Sequence, residues 1–110
     1  MAMEKIDSVE QFQEVLEKGK SFLFIKHSLT CPISQSAFEE YKKFAKAHPE
    51  IDTYYLYVQE ARSLSNYIAE TFGVKHESPQ ALLFENGSVV WHTSHWNITY
   101  DTLRKEVVKQ

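Results

Sequence analysis

The stretch HSLTCPIS, residues 27 to 34, holds the residues of this chain best suited to covalent chemistry. Cys31 is the single cysteine, Pro32 follows it, and Ser34 stands three positions on. Two readings of Cys31 compete. It is either a small buried apolar residue, or a nucleophile at a helix start, where unpaired N–H groups and the helix dipole favour the thiolate that disulfide exchange requires. Pro32 suits the second reading, because a first-turn proline removes an N–H that has no helical partner. Ser34 then sets the type of chemistry. In a two-cysteine protein the second sulfur attacks the mixed disulfide and frees the substrate. Serine has no sulfur, so an adduct on Cys31 must be cleared by a thiol from outside. Serine is also an ordinary residue of a first helical turn, and one residue can serve both ends. Just upstream, Lys26 either adds positive charge near the sulfur or is a solvated lysine at a strand end, the more frequent setting. Strand alternation does not say which way His27 points. One cysteine and five histidines with no i, i+4 helical pair do not make a tetrahedral zinc site, so no metal ligands are assigned.

These residues need elements to hold them. From Asp7 or Ser8 as N-cap, apolar residues fall at Val9, Phe12, Val15 and Leu16 with helical spacing, and Gly19 supplies a stop. SFLFIKH is an apolar run of strand length, rich in aromatic and branched residues, and reads as an interior strand. After Cys31, the apolar positions Ile33, Ala37, Tyr41, Phe44 and Ala45 predict a helix ending near His48, before Pro49. IDTYYLYV is again strand-like, and ARSLSNYIAETF carries Leu64, Ile68 and Phe72 on one helical face with Gly73 as terminator. QALLFE and SVVWH flank Asn86-Gly87, the strongest short hairpin signal, because both central residues of a type I′ turn need positive φ. A last helix follows, with Asn97 or Thr99 as cap and Leu103 and Val107 facing inward. The order is αβαβαββα, an α/β chain with no linker or repeat. At 110 residues and 43% apolar, it has material for one core, so residues 1–110 are expected to form one domain.

Charge and patterning exclude several classes. Twelve basic and fifteen acidic residues give a formal −3 and lie interspersed, without the basic block of a nucleic-acid binder. The N-terminal residues lack a signal-type apolar region, and no run of about 18 apolar residues offers a membrane span. A soluble protein of the cytoplasm is expected, and a lone cysteine suits that reducing compartment. The formal sequons at Asn86 and Asn97 then carry no consequence.

Four strands in a mixed sheet with helices on both faces, the first βαβ unit parallel and the last two strands a hairpin, is the order of the thioredoxin fold. FGVKHESPQALLFENGSVV is similar to the thioredoxin segment in which a helix ends at Gly-Val and a cis-proline opens a strand that turns back. TCPIS stands where that fold places its Cys-x-x-Cys. Together, TCPIS and VKHESPQALLF resemble most closely the monothiol bacilliredoxins, thioredoxin-like proteins of bacteria that use the thiol bacillithiol.

The resemblance implies a thiol–disulfide oxidoreductase that removes bacillithiol from mixed disulfides on oxidised proteins, with Cys31 as nucleophile. Ser78-Pro79 would be cis, and Ser78 would offer its backbone to an extended thiol substrate, while His76 and Glu77 are as readily solvated loop residues. Thr30, Pro32, Ser34, Ser78 and Pro79 would surround the bound thiol. In glutaredoxins the start of the last helix holds a carboxylate of the thiol. HTSHWNIT lacks their Gly-Gly-x-Asp pattern, which leaves Trp96, Asn97 and Thr99 as candidates there beside plain packing or capping roles. Two departures from thioredoxin itself, Thr30 in place of a tryptophan and apolar residues around Ile25 in place of a buried aspartate, argue against a general disulfide reductase. The implied partners are S-thiolated cytosolic proteins, a low-molecular-weight thiol and a thiol–disulfide reductase, with neither nucleic acid nor membrane. No cofactor is expected to be bound; bacillithiol is a co-substrate. The residues leave open a monothiol transferase for another small thiol, or a non-catalytic module binding an iron–sulfur cluster between two subunits.

Overall fold

In the computed structural model, which describes residues 3–18 and 20–108, the chain starts with a two-residue strand, β1 (Glu4–Lys5). Helix α1 (Val9–Glu17) follows from a capping box, in which Ser8 Oγ accepts the Gln11 N–H and the Gln11 side chain accepts the Ser8 N–H. The stop expected at Gly19 lies outside the described residues. Then come β2 (Phe22–His27), α2 (Pro32–Ala47), β3 (Asp52–Tyr57) and α3 (Arg62–Phe72). Gly73 ends α3 at φ 69°, in the left-handed region that favours glycine. Strands β4 (Gln80–Glu85) and β5 (Ser88–Ser94) join through Asn86 and Gly87, both at positive φ as the hairpin signal requires. A 3-10 turn (His95–Asn97) leads to α4 (Tyr100–Val107), capped by Thr99.

The sheet order is β1-β3-β2-β4-β5. β2 runs parallel to β3 and antiparallel to β4, and β5 closes the hairpin edge. Five strands stand where the sequence predicts four. β1 pairs parallel with β3 through Glu4↔Tyr54 and Lys5↔Tyr55, and two polar residues are too short a run to show any alternation.

β2 is buried at all six positions because helices cover both sides of it. Phe22 and Phe24 join Phe12 of α1 and Leu64 and Ile68 of α3 in one core. Leu23 and Ile25 join Ala37, Tyr41 and Phe44 of α2 and Leu103 of α4 in the other. Each buried Phe or Leu contributes about 1.5–3 kcal/mol. The Tyr41 hydroxyl shares its proton between the carbonyl oxygens of Leu23 (3.0 Å) and Tyr54 (2.7 Å), fixing α2 on the sheet. Described helices thus lie on both faces of a mixed sheet, the thioredoxin-like α/β arrangement.

Candidate active site

Cys31 is the N-cap residue of α2. Its backbone is extended (φ −104°, ψ 121°), its carbonyl accepts the Gln35 N–H at 3.1 Å, and its side chain makes no capping hydrogen bond. The thiol is half-buried. Pro32 begins the helix and is exposed, as is Thr30. The short loop before the cysteine is tied at several points. The Ser28 N–H donates to Ser34 Oγ at 2.7 Å, and the Leu29 N–H donates to Gln59 Oε1 at 3.0 Å. Gln59 Nε2 reaches back to Ser28 Oγ (3.0 Å) and Thr30 Oγ1 (3.4 Å). Gln59, in the turn after β3, was not foreseen, because nothing local marks a glutamine whose partners lie about 30 residues upstream.

Ser34 is fully buried, and its hydroxyl also bonds to His27 Nδ1 at 3.1 Å. His27 is buried too and stacks on Phe38, with ring centroids 4.3 Å apart. Burial pushes its imidazole below the ordinary histidine range, and the Lys42 cation acts in the same direction against the opposing bond from Ser34. So His27 faces α2, the question that alternation left open, and serves as a neutral anchor for the first turn.

Lys26 faces the other way. The reading as a solvated lysine is overturned: the side chain is fully buried on the α3 side of the sheet. Its Nζ donates to the Ser65 carbonyl at 3.0 Å and meets His76 Nδ1 at 3.3 Å. Nor does it lend charge toward α2, because successive strand residues point to opposite faces. Burial, with no carboxylate among its described partners, lowers Lys26 to about 8. His76, held also by Ser65 Oγ at 3.1 Å, lies below its ordinary range through burial and then through the Lys26 and Arg62 cations. The loop residue left open between function and solvent is therefore a partner of a buried lysine.

The Ser78-Pro79 bond is cis, as the resemblance implies. The register Lys26↔Gln80 sets the start of β4, and with it Pro79, at the end of β2 from which Cys31 follows. Pro79 is buried and Ser78 half-buried. Among the described residues, the buried Ser78 Oγ and Gln80 Oε1 have no hydrogen-bond partner. The same end of the sheet receives β5, since Gln80 pairs with Ser94. Here the His95 N–H donates to the Pro79 carbonyl at 3.1 Å. Ser94 Oγ donates to Glu77 Oε1 at 2.8 Å, and His95 Nδ1 lies 3.2 Å from that oxygen. Glu77 too is anchored instead of solvated. His95 takes φ 56°, an uncommon conformation for a residue with a side chain, at the point where the loop is tied.

Trp96 and Asn97, on the 3-10 turn just past this junction, are both exposed. Thr99 caps α4 by accepting the Thr102 N–H at 3.1 Å. Three segments therefore leave one end of the sheet: Thr30 to Ser34 after β2, Ser78-Pro79 before β4, and Trp96-Asn97 after β5. The arrangement presents one thiol beside a proline-bound backbone edge, and the chain holds no second sulfur of cysteine.

The family model described as monothiol bacilliredoxin BrxC matches residues 4–103. A solved thioredoxin-fold protein provisionally assigned as an oxidoreductase is 44% identical, with TM-score 0.88, covering 94% of this chain and 92% of its own. Thioredoxin of Fasciola hepatica superposes with TM-score 0.78 at 15% identity, covering 96% of each chain. Thioredoxin O1 of Arabidopsis thaliana gives 0.78 at 18%, covering 99% of this chain and 100% of its own. At those identities the two thioredoxins speak for the fold alone.

Proposed function

The chain belongs to the monothiol bacilliredoxin family, and on that premise we propose that it removes bacillithiol from mixed disulfides on oxidised proteins, with Cys31 as the nucleophile. The coarser statement is secure: this is a thioredoxin-fold thiol–disulfide oxidoreductase. The observation that carries the finer one is a single half-buried thiol at the start of α2, in a segment that leaves the same end of the sheet where β4 begins after cis-Pro79.

In the first step the Cys31 thiolate attacks the bacillithiol sulfur. A new S–S bond forms as the old one breaks, and the electron pair leaves on the target protein's sulfur, which takes a proton from water. The target regains its thiol and Cys31 carries the adduct. The extended edge at Ser78 lies where a substrate backbone would align by strand addition. The exposed Thr30 and Pro32 flank the adduct, Ser34 faces inward and holds the turn beneath it, and Trp96 and Asn97 lie at the same end of the sheet as Pro79. With serine at position 34, a second bacillithiol thiolate must attack the Cys31 adduct, giving bacillithiol disulfide and free Cys31. A separate reductase then supplies two electrons to that disulfide. On this reading bacillithiol is a co-substrate, no resident cofactor takes part, and the partners are S-thiolated proteins of a reducing cytoplasm.

The test is a mass measurement on a target protein carrying bacillithiol. With the wild type the target should lose the adduct and Cys31 should gain it, while Cys31→Ser does neither and stays folded. A target cleared equally well by Cys31→Ser would overturn the assignment.

A further inference from the structure

Lys26 is a fully buried amine that the transfer chemistry above does not use. Burial disfavours its charged form. With no carboxylate among its described partners, the fold gains little from a charge there, and an apolar side chain of similar length would fill the same space. What the amine supplies is direction. Its Nζ donates to the Ser65 carbonyl of α3 at 3.0 Å and to His76 Nδ1 at 3.3 Å, and Ser65 Oγ meets the same ring nitrogen at 3.1 Å. His76 is exposed elsewhere, so this inward edge ties it to the body of the protein.

The segment from Lys75 to Pro79 is tied at every residue but one. Gln80 Nε2 donates to the Lys75 carbonyl at 2.9 Å, Lys26 and Ser65 hold His76, Ser94 Oγ donates to Glu77, and the His95 N–H donates to the Pro79 carbonyl. Ser78 is the exception, since its buried Oγ has no hydrogen-bond partner among the described residues. The position of the Ser78 backbone is therefore set by its neighbours. Among these side-chain ties, the one from Lys26 alone comes from β2, whose next residue, His27, holds the turn of Cys31 through Ser34. One strand end thus references both the nucleophile and the edge that would receive a substrate chain.

We propose that Lys26 is a positioning residue for protein targets: through His76 it holds the Ser78 edge in register with Cys31, so that a target chain lying along that edge delivers its mixed disulfide to the sulfur. This rests on the disulfide-transfer reading above and adds a rule of selection. Substrates with an extended chain depend on Lys26, and a mixed disulfide too small to lie along the edge does not.

The experiment compares clearance of bacillithiol from two substrates, an extended peptide with one thiolated cysteine and free cysteine joined to the same thiol. Lys26→Met, His76→Ala and the double variant are measured beside the wild type. In each single variant the KM for the peptide should rise about tenfold, the scale of one charge-assisted hydrogen bond, with kcat kept. Clearance from free cysteine should stay at the wild-type rate. The double variant should lose no more than either single one, because both remove the same link. Lys26→Met should show this loss while unfolding at higher urea than the wild type, a combination that a merely structural role does not produce. If Lys26→Met does not fold, His76→Ala, at the surface, carries the test. An unchanged peptide KM, or a loss shared equally by the two substrates, would overturn the proposal. A wild type that clears neither substrate would instead remove the function proposed for Cys31, and amide exchange then decides for Lys26. Faster exchange at His76, Glu77 and Ser78 in Lys26→Met keeps it as the holder of the loop, and unchanged exchange overturns it.

Discussion

Lys26 and His27 are consecutive residues of β2 and both are buried, yet they hold opposite halves of the site by different means. His27 points toward α2, stacks on Phe38 and bonds Ser34, so it anchors the turn that carries Cys31. Lys26 points toward α3 and meets His76, three residues before Pro79, so it anchors the loop that carries the proline. The first anchor is a neutral aromatic ring held by packing and one hydroxyl. The second is a titratable amine with two neutral partners, in a setting that penalises its charge. One strand end thus fixes the Cys31 turn by packing and the proline loop through a titratable amine.

The comparison is broken most severely at Ser34. Ser34→Ala leaves the Ser28 N–H and His27 Nδ1 without their partner, and we expect a loss of about 1–3 kcal/mol in urea unfolding together with slower adduct transfer. Cys31→Ala, whose thiol makes no capping bond, should cost less than about 1 kcal/mol while abolishing transfer. Equal stability losses in the two variants would mean that Ser34 is not the anchor described.

Lys26→Met probes the other half and should move stability the opposite way, raising it at pH 7 by about 1–2 kcal/mol, because the buried charge is replaced by a chain of similar length. The sign of the pH effect follows from the lowered value. Between about 8 and the ordinary 10.5, the unfolded chain holds a proton that the folded chain has released. Stability contributed by Lys26 therefore falls as pH drops through that window and is flat below it. The difference between wild-type and Lys26→Met unfolding curves should show this slope, and a flat difference would place the amine in water.

The smallest effect lies on the acid side. Both His27 and His76 sit below the ordinary histidine value of 6.5 when folded, chiefly through burial. Below pH 6.5 the unfolded chain takes up protons first, so stability is lost as pH falls. His27→Gln should flatten that loss on the Cys31 side. If it persists undiminished there, His76 carries it, and the acid response belongs with Lys26 at the proline loop.

Local pattern alone determined much of this protein. Helical spacing placed α2 directly after Cys31, Asn86-Gly87 fixed the hairpin, and the absence of a second cysteine dictated that any adduct be cleared from outside. These are properties of neighbouring residues, since periodicity, turn φ values and sulfur count need no distant partner. The two-residue β1 escaped because it is shorter than any pattern. What only the tertiary structure decided is where the polar groups go. Lys26 finds Ser65 and His76 at separations of 39 and 50 residues, and Gln59 finds the loop before Cys31 across 29 to 31. Glu40 meets the Tyr100 N–H across 60. A polar side chain takes its partner from whatever the folded chain brings beside it, and sequence spacing carries no information about that neighbour until the sheet has set which face each residue points to.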